Sequence, residues 1–269
     1  LSNQGWKDSS DSVFHADGRS PQGPIALVEV QGYAFAALRA MAAMARMRGA
    51  EAKADAWAQR AERLRTEVER RFWMADSNFY GIAIDGAGEL CAVRASNAGH
   101  LVFSGLPDTE RASAVTTQFL DAPFFSGWGI RTLAQDQAHY NPMSYHNGSV
   151  WPHDSAICAA GIAAYGPRSG AVRLLRGAFE AAVHFNMRLP ELFCGFPRSH
   201  GSAPVAYPVA CLPQAWAAGS AFMLVQACLG ITIDGAQSEI LLDRPQLPIG
   251  IDEIVVRRVP IAATHVHLV

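Results

Sequence analysis

The sequence is poor in lysine, with only Lys7 and Lys53, and its charges nearly cancel: 22 Lys+Arg against 24 Asp+Glu over 269 residues. A nucleic-acid binder needs a basic face, so a net charge of −2 argues against that partner. The five cysteines, Cys91, Cys158, Cys194, Cys211 and Cys228, form no CxxC pair. An odd count without paired spacing offers neither a disulfide framework nor a zinc site. We therefore expect no metal, no cofactor, reduced buried thiols and a cytoplasmic setting. No apolar run approaches the ~20 residues of a membrane span, which argues against a membrane partner. The opening LSNQGWKDSSDS lacks the basic-then-apolar order of a signal peptide and has no initiator Met. Linkers, low-complexity tracts and internal repeats are also missing.

Half of the sequence is hydrophobic, enough for a large core in one big domain or two smaller ones. Residues 25–47 are almost continuously apolar and Ala-rich, which predicts a helix buried on all sides, stopped by Gly49. Residues 51–73 differ. Ala54, Trp57, Ala61, Leu64, Val68 and Phe72 recur at steps of three or four with charges between them, an amphipathic helix with one wet face. A buried helix followed by an amphipathic one is the signature of an inner and an outer ring. Further helices are predicted over 95–105, 109–120 (opened by Asp108 or Thr109), 154–165, 168–187 and 213–229, the last with Pro213 in its first turn. That makes about seven helices in three or four inner/outer pairs over a unit spanning 1–230. The tail, 231–269, alternates β-branched residues in ITIDG, EILLD and EIVVRRVPI, so a cap of short strands is expected there.

The chemistry sits in the loops. Residues 121–153 and 188–212 are long, irregular and rich in Trp, His, Asn and Tyr, and loops of that length in a compact domain are usually functional. Cleaving a glycosidic bond requires two carboxyl groups flanking the sugar, one to protonate the leaving oxygen and one to activate water or attack. NQGWKDSSD at 3–11 offers Asp8 and Asp11 beside Trp6 and Lys7. The ammonium would lower an Asp pKa and burial against Trp6 would raise it; a working acid needs the second effect to prevail. The plainer alternative makes Asp8 a turn former. SGWGIRTL and NPMSYHNGSVWPHD bring Trp128, Arg131, His146, Asn147, Trp151 and His153 together as a polar pocket wall, without a third ligand at metal spacing. LPELFCGF carries Glu191, the only carboxylate between Glu180 and Asp234. Its apolar surroundings predict a raised pKa; the alternative is a helix-end acid pointing to water. Cys194 has no evident paired base.

These clusters, with PIALVEVQGYAFAAL and YPVACLPQAWAAG, resemble in order the bacterial amylo-α-1,6-glucosidase (glycogen debranching enzyme-like) family, over most of residues 3–220. The resemblance implies an (α/α)6 toroid with its site in loops at one end, and inverting hydrolysis of an oligosaccharide or glucan. It makes Asp8 the general acid, with Asp11 its rival, and Glu191 the general base. It further implies sugar contacts from Trp6, Lys7, Glu29, Gln31, Trp128, Arg131, His146, Asn147, Trp151, His153, Gln214 and Trp216. A complete toroid has twelve helices, so we read the chain as the C-terminal part of such an enzyme. Missing helices would leave an apolar wall exposed, favouring association with a copy of the chain or with a missing N-terminal half. Two other readings stay open. A degraded, non-catalytic carbohydrate-binding or assembly module would keep the two carboxylates far apart or occluded. A sugar epimerase would set His146 against His153 across the pocket, with Glu191 outside.

Overall fold

Residues 5–269 are described in a computed structural model; Asn3 and Gln4, which open the NQGWKDSSD motif, lie outside the described residues. Seven α-helices occur among the described residues: α1 (Val28–Met47), α2 (Glu51–Arg71), α3 (Asn97–Phe103), α4 (Thr109–Gln118), α5 (Pro152–Tyr165), α6 (Arg168–His184) and α7 (Ala215–Leu229). Helices α1, α3, α5 and α7 pack side by side in that order. Behind them, α2 lies on α1, α4 on α3 and α5, and α6 on α5 and α7. This alternation is that of a helical toroid, present in part.

Side-chain pattern explains the placement. In α2 the buried residues Ala54, Ala61 and Val68 are seven apart, so one narrow stripe meets α1 and the charges stay wet. Helix α5 has no charged outer face: its run from Pro152 to Ser155, then Ala156, Cys158, Ala159 and Ile162, is buried by neighbours on several sides. Asp108 caps α4 by accepting a hydrogen bond from the Arg111 amide at 2.8 Å, satisfying one of the orphan donors at a helix start. Helix α7 starts later than its proline suggests, because the Gln214 side chain takes the Trp216 amide and Ala215 becomes the first helical residue.

Helix α1 departs from its expected all-round burial. Val28, Glu29, Gly32, Phe35 and Ala42 are buried, whereas Val30, Tyr33, Met41, Met44 and Met47 are exposed. Phe222 on α7 is 80% exposed. The two helices end the row, and each has a neighbour on one side only. A cavity of 670 Å³ opens between α5, α7 and the tail, lined by Phe103, Ala160, Phe222 and Met223 among others.

Four strands before α3 are absent from the sequence expectation. β1 (Ala26–Leu27), β2 (Trp73–Met74) and β4 (Leu90–Arg94) all pair antiparallel with the central β3 (Phe79–Ile84). FYGIAI is buried at every position, so it has no alternation to reveal it. Phe79 packs on Phe119 and Phe124 at centroid distances of 5.6 and 5.4 Å, contacts worth about 0.5–1.5 kcal/mol each beyond area burial. The sheet also fastens the N-terminal loop: His15 Nε2 lies 3.2 Å from Asp85 Oδ2, and Asp85 accepts from the amides of Gln22, Ala87 and Glu89. The tail forms two hairpins, β5 (Ile231–Asp234) with β6 (Glu239–Leu242) and β7 (Val256–Ile261) with β8 (Thr264–Leu268). An ion pair between Arg168 and Asp243 at 3.0 Å ties the first hairpin to α6.

Candidate active site

The four inner helices begin at one place, around Trp6. Its ring stacks on His100 of α3 at 5.7 Å and 6°. Trp6 also meets His146, Trp151 and His153 edge-on at 5.6, 5.5 and 4.9 Å. Gly5 lets the loop lie this close to α1: a Cβ there would fall 2.5 Å from Leu27 Cδ1 and 2.7 Å from Glu29 Oε1. Lys7 turns inward. It is 3% exposed, donates to the Thr132 carbonyl at 2.7 Å, and stands 5.2 Å over the Trp6 ring. Burial pushes its ammonium down to about 8, against the opposing pull of Asp154 and Glu29.

Asp8 turns outward. Its side chain is 86% exposed, with Oδ1 3.8 Å from His146 Nε2. The expected burial against Trp6 is therefore not found: with Lys7 filling the inner side, the next residue along the loop points to solvent. Residues 9–11 form a bend and turn with no helix, so Asp8 and Asp11 share no helix face. Asp11 is exposed, and its carbonyl and Oδ2 accept from Asn147 Nδ2 at 3.0 and 3.3 Å.

Glu191 is held from two sides. Its residue is 7% exposed; Oε1 accepts from Tyr145 Oη at 2.7 Å and Oε2 from the Cys211 amide at 3.0 Å. The Glu191 amide in turn donates to the Cys211 carbonyl at 2.9 Å. Burial alone would raise this carboxyl, but the Tyr145 and Cys211 hydrogen bonds outweigh it and hold it below its ordinary value. The raised value expected from its apolar sequence neighbours is corrected by donors from Tyr145 and Cys211, which are distant in sequence. Tyr145 stands next to His146, ring centroids 4.6 Å apart. Asp8 and Glu191 therefore flank one Tyr145–His146 pair.

Both candidate histidines are buried and neutral. Burial, then Lys7, pushes His146 down to about 4. Its Nδ1 meets Ser9 Oγ at 2.7 Å, and its ring stacks on Trp151 at 5.1 Å. Burial also pushes His153 down to about 4 against the pull of Asp154. It stacks on Trp216 at 3.9 Å and 8°, and neither ring nitrogen has a partner among the described residues. The two rings rest on the same Trp6–Trp151 pair with Glu191 alongside, not opposed across a gap as paired epimerase histidines would be.

The remaining expected contacts divide. Glu29 joins the Trp6 cluster; it is 1% exposed, its carboxyl raised by burial. Trp216, at 39% exposure, and Trp151, at 1%, belong to the same wall. Trp128 does not: it is buried with Val150, Ala181 and Phe193, under Arg198. Arg131 is spent on backbone, donating to the carbonyls of Gly195 at 2.6 Å and Ala122 at 2.9 Å. Gln31 bonds within its own helix to the Leu27 carbonyl, and Gln214 is the cap of α7. Arg131 instead helps to join the two long loops, where a Cβ on Gly195 would lie 1.7 Å from the Gly148 carbonyl oxygen.

Sequence reasoning missed Tyr33, Asn97 and His100, which sit in helical stretches that read as core. Tyr145 stood in the NPMSYHNGSVWPHD cluster of the expected pocket wall, without a role of its own. Cys194 is no nucleophile: it is buried, burial raises its thiol, and Sγ faces the Ala206 carbonyl at 3.8 Å. Cys211, expected buried, is exposed. Ligand atoms of His15, Asp85 and Glu89 lie within 4.8 Å of one another. Asp85 is saturated by amides, however, and Glu89 holds Arg19 at 2.5 Å, so nothing there calls for an ion.

A family model described as the mannosylglycerate hydrolase MGH1-like glycoside hydrolase domain matches residues 5–188. A search of curated proteins finds no match. Among solved structures, a GH63 mannosylglycerate hydrolase from Thermus thermophilus in complex with Tris is similar at a TM-score of 0.57 and 20% identity, covering 74% of this chain and 45% of that one. Neutral trehalase Nth1 from Saccharomyces cerevisiae is similar at 0.59 and 12%, covering 76% and 38%. A structure described as a sialidase gives 0.65 and 16%, covering 82% and 21%. The chain spans less than half the length of each, and at these identities the likeness is one of fold.

Proposed function

The chain belongs to the mannosylglycerate hydrolase MGH1-like glycoside hydrolase family, a six-hairpin glycosidase domain, and from that premise we propose that it carries the catalytic pair of an inverting α-glycosidase. Asp8 is the general acid and Glu191 the general base. The observation that supports this is the shared frame: Asp8 Oδ1 is 3.8 Å from His146 and Glu191 Oε1 is 2.7 Å from the adjoining Tyr145. A carboxylate kept ionised suits a base that takes a proton from water. Asp8 stands open to a leaving oxygen arriving from outside, and the burial that an acid needs would come from the leaving group that covers it. In the reaction, Glu191 deprotonates a water attacking the anomeric carbon while Asp8 protonates the departing oxygen, and the configuration inverts.

We propose an α-linked glucosyl residue as the substrate, in the manner of amylo-α-1,6-glucosidases, on the strength of the ordered loop motifs. A second reading is hydrolysis of mannosylglycerate, favoured by the family match over residues 5–188. The reduced thiols suit a cytoplasmic setting. The apolar wall of α1 and α7 suits association with further helices, whether from a longer chain or from a copy.

The test is to incubate the protein with isomaltose and with α-mannosylglycerate and to follow the anomer released by NMR. Initial release of the β-sugar from either substrate, abolished by Glu191→Gln, is the expected result and selects between them. Initial release of the α-anomer, or unchanged release by Glu191→Gln, removes this mechanism.

A further inference from the structure

Tyr33, His100 and Asp154 come from three helices, α1, α3 and α5, and form one hydrogen-bonded chain. Asp154 is 0% exposed, and its Oδ1 lies 2.7 Å from His100 Nε2. His100 Nδ1 lies 2.5 Å from Tyr33 Oη. Burial alone would raise the Asp154 carboxyl, but His100 and Lys7 outweigh it and keep the group below its ordinary value, hence ionised. Burial, with Glu29 and Asp154 nearby, pushes the Tyr33 phenol up, so its proton stays on.

These facts give the chain a direction. An ionised carboxylate only accepts, so His100 Nε2 carries the proton directed at Asp154. Tyr33 keeps its own proton, and an imidazole with one N–H takes that proton at Nδ1. In that tautomer Tyr33 Oη has only lone pairs left to offer. His100 is 1% exposed and Asp154 0%, but Tyr33 is 41% exposed. The chain therefore ends at the surface in a hydroxyl that can accept and not donate.

Its surroundings have the same bias. Asn97 Oδ1 and Asp154 Oδ2 are buried acceptors without a partner among the described residues, and Trp6 Nε1 is a donor in that state. Asp154 bonds His100, Asn97 lies one helical turn before it and Trp6 stacks on it, so these groups adjoin the chain that ends at Tyr33. A ligand meeting it must bring donors, and a polyhydroxylated ring brings several.

We propose that Tyr33, oriented by His100 and Asp154, accepts a hydrogen bond from one hydroxyl of a bound sugar and sets selectivity at that position. This rests on the reading of the site as sugar-binding but needs no catalysis. The test measures binding of D-glucose, D-mannose and their 2-, 3-, 4- and 6-deoxy derivatives by tryptophan fluorescence, with wild type and Tyr33→Phe, whose melting temperatures confirm folding. One deoxy derivative should bind wild type on the order of 10-fold to 100-fold more weakly than its parent. Tyr33→Phe should bind the parent more weakly by a similar factor and no longer distinguish that derivative. The inference is overturned if no sugar binds, if Tyr33→Phe retains the parent affinity, or if its losses simply add to an unchanged deoxy penalty. Nitrogen-15 NMR of His100 gives a second check, and a proton on Nδ1 would overturn the direction of the chain. Sugar binding governed by Tyr33 without hydrolysis would keep this inference and discard the proposed reaction; hydrolysis indifferent to Tyr33→Phe would do the reverse.

Discussion

Glu191 and Asp8 are both loop carboxylates, yet their settings are opposite. Glu191 is nearly enclosed, with each oxygen assigned a donor and its backbone paired to Cys211 in both directions. Asp8 stands in solvent beside one imidazole. The difference teaches that the proposed base is preorganised by this chain's own loops, while the surroundings of the proposed acid are open. A base must hold one water in a fixed line, so its rigidity is intrinsic to its task. An acid's environment is completed by whatever covers it, the leaving group included.

The largest expected effect separates the two by leaving group. Glu191→Gln should lower hydrolysis of both an α-linked disaccharide and the corresponding α-glycosyl fluoride by ~10³-fold or more. Asp8→Asn should lower the disaccharide rate by a comparable ~10²–10⁴-fold but spare the fluoride, which leaves without protonation. Asp11→Asn should leave both rates nearly intact, since Asn147 can still bond the Asp11 carbonyl. Steady-state rates on the two substrates check all three. If Asp11→Asn shows the loss and Asp8→Asn does not, the acid has been misassigned.

A smaller effect tests the base's preorganisation. Tyr145→Phe removes the donor to Glu191 Oε1, so the carboxyl should rise toward its ordinary value. The acidic limb of the kcat/KM profile should move to higher pH, with kcat falling about 10-fold. A limb that stays in place would mean that Tyr145 does not set the base's ionisation.

The smallest effect concerns the wall between the two carboxylates. His146 and His153 are held at about 4 in the folded protein, against about 6.5 in an unfolded chain. Between those values the unfolded chain binds more protons. Stability should therefore be complete above about pH 6.5 and fall progressively as pH drops toward about 4. Melting temperatures across that range check it, and His153→Phe should flatten the slope. An unchanged slope would show that His153 does not stay neutral on folding.

Much of this was legible in the sequence because the helices announce themselves. Ala54, Ala61 and Val68 repeat on one stripe, and Asp108 caps where a cap was expected. What was not legible has physical causes. Strand β3 is buried at every residue and so lacks the alternation by which strands are recognised. Helix α1 is apolar all round, but apolarity records what a surface is built to meet, not what this chain supplies, and Met41, Met44 and Met47 are left in the open. In the site, residue type pointed to Trp128 and Arg131 as readily as to Trp6 and His146, but the first two are committed to holding loops together. Tyr33 and His100 gave no signal, because a hydrogen-bonded chain across three helices leaves no local pattern. That the chain is a glycoside hydrolase domain could be read from the ordered motifs, whereas the family within that class turns on pocket contacts that short motifs do not encode.

The convergence of helix starts has a consequence for how such a protein can change. Glu29, His100, His153 and Trp216 all lie in the opening turns of α1, α3, α5 and α7, while the far ends of those helices only pack. Each helix thus has a chemical end and a mechanical end. Insertions or substitutions in the loops leading into the site alter what it recognises without disturbing the helical packing behind it. Mutations at the far ends trade stability without touching recognition. Divergence in substrate and divergence in robustness can then accumulate separately along the same polypeptide.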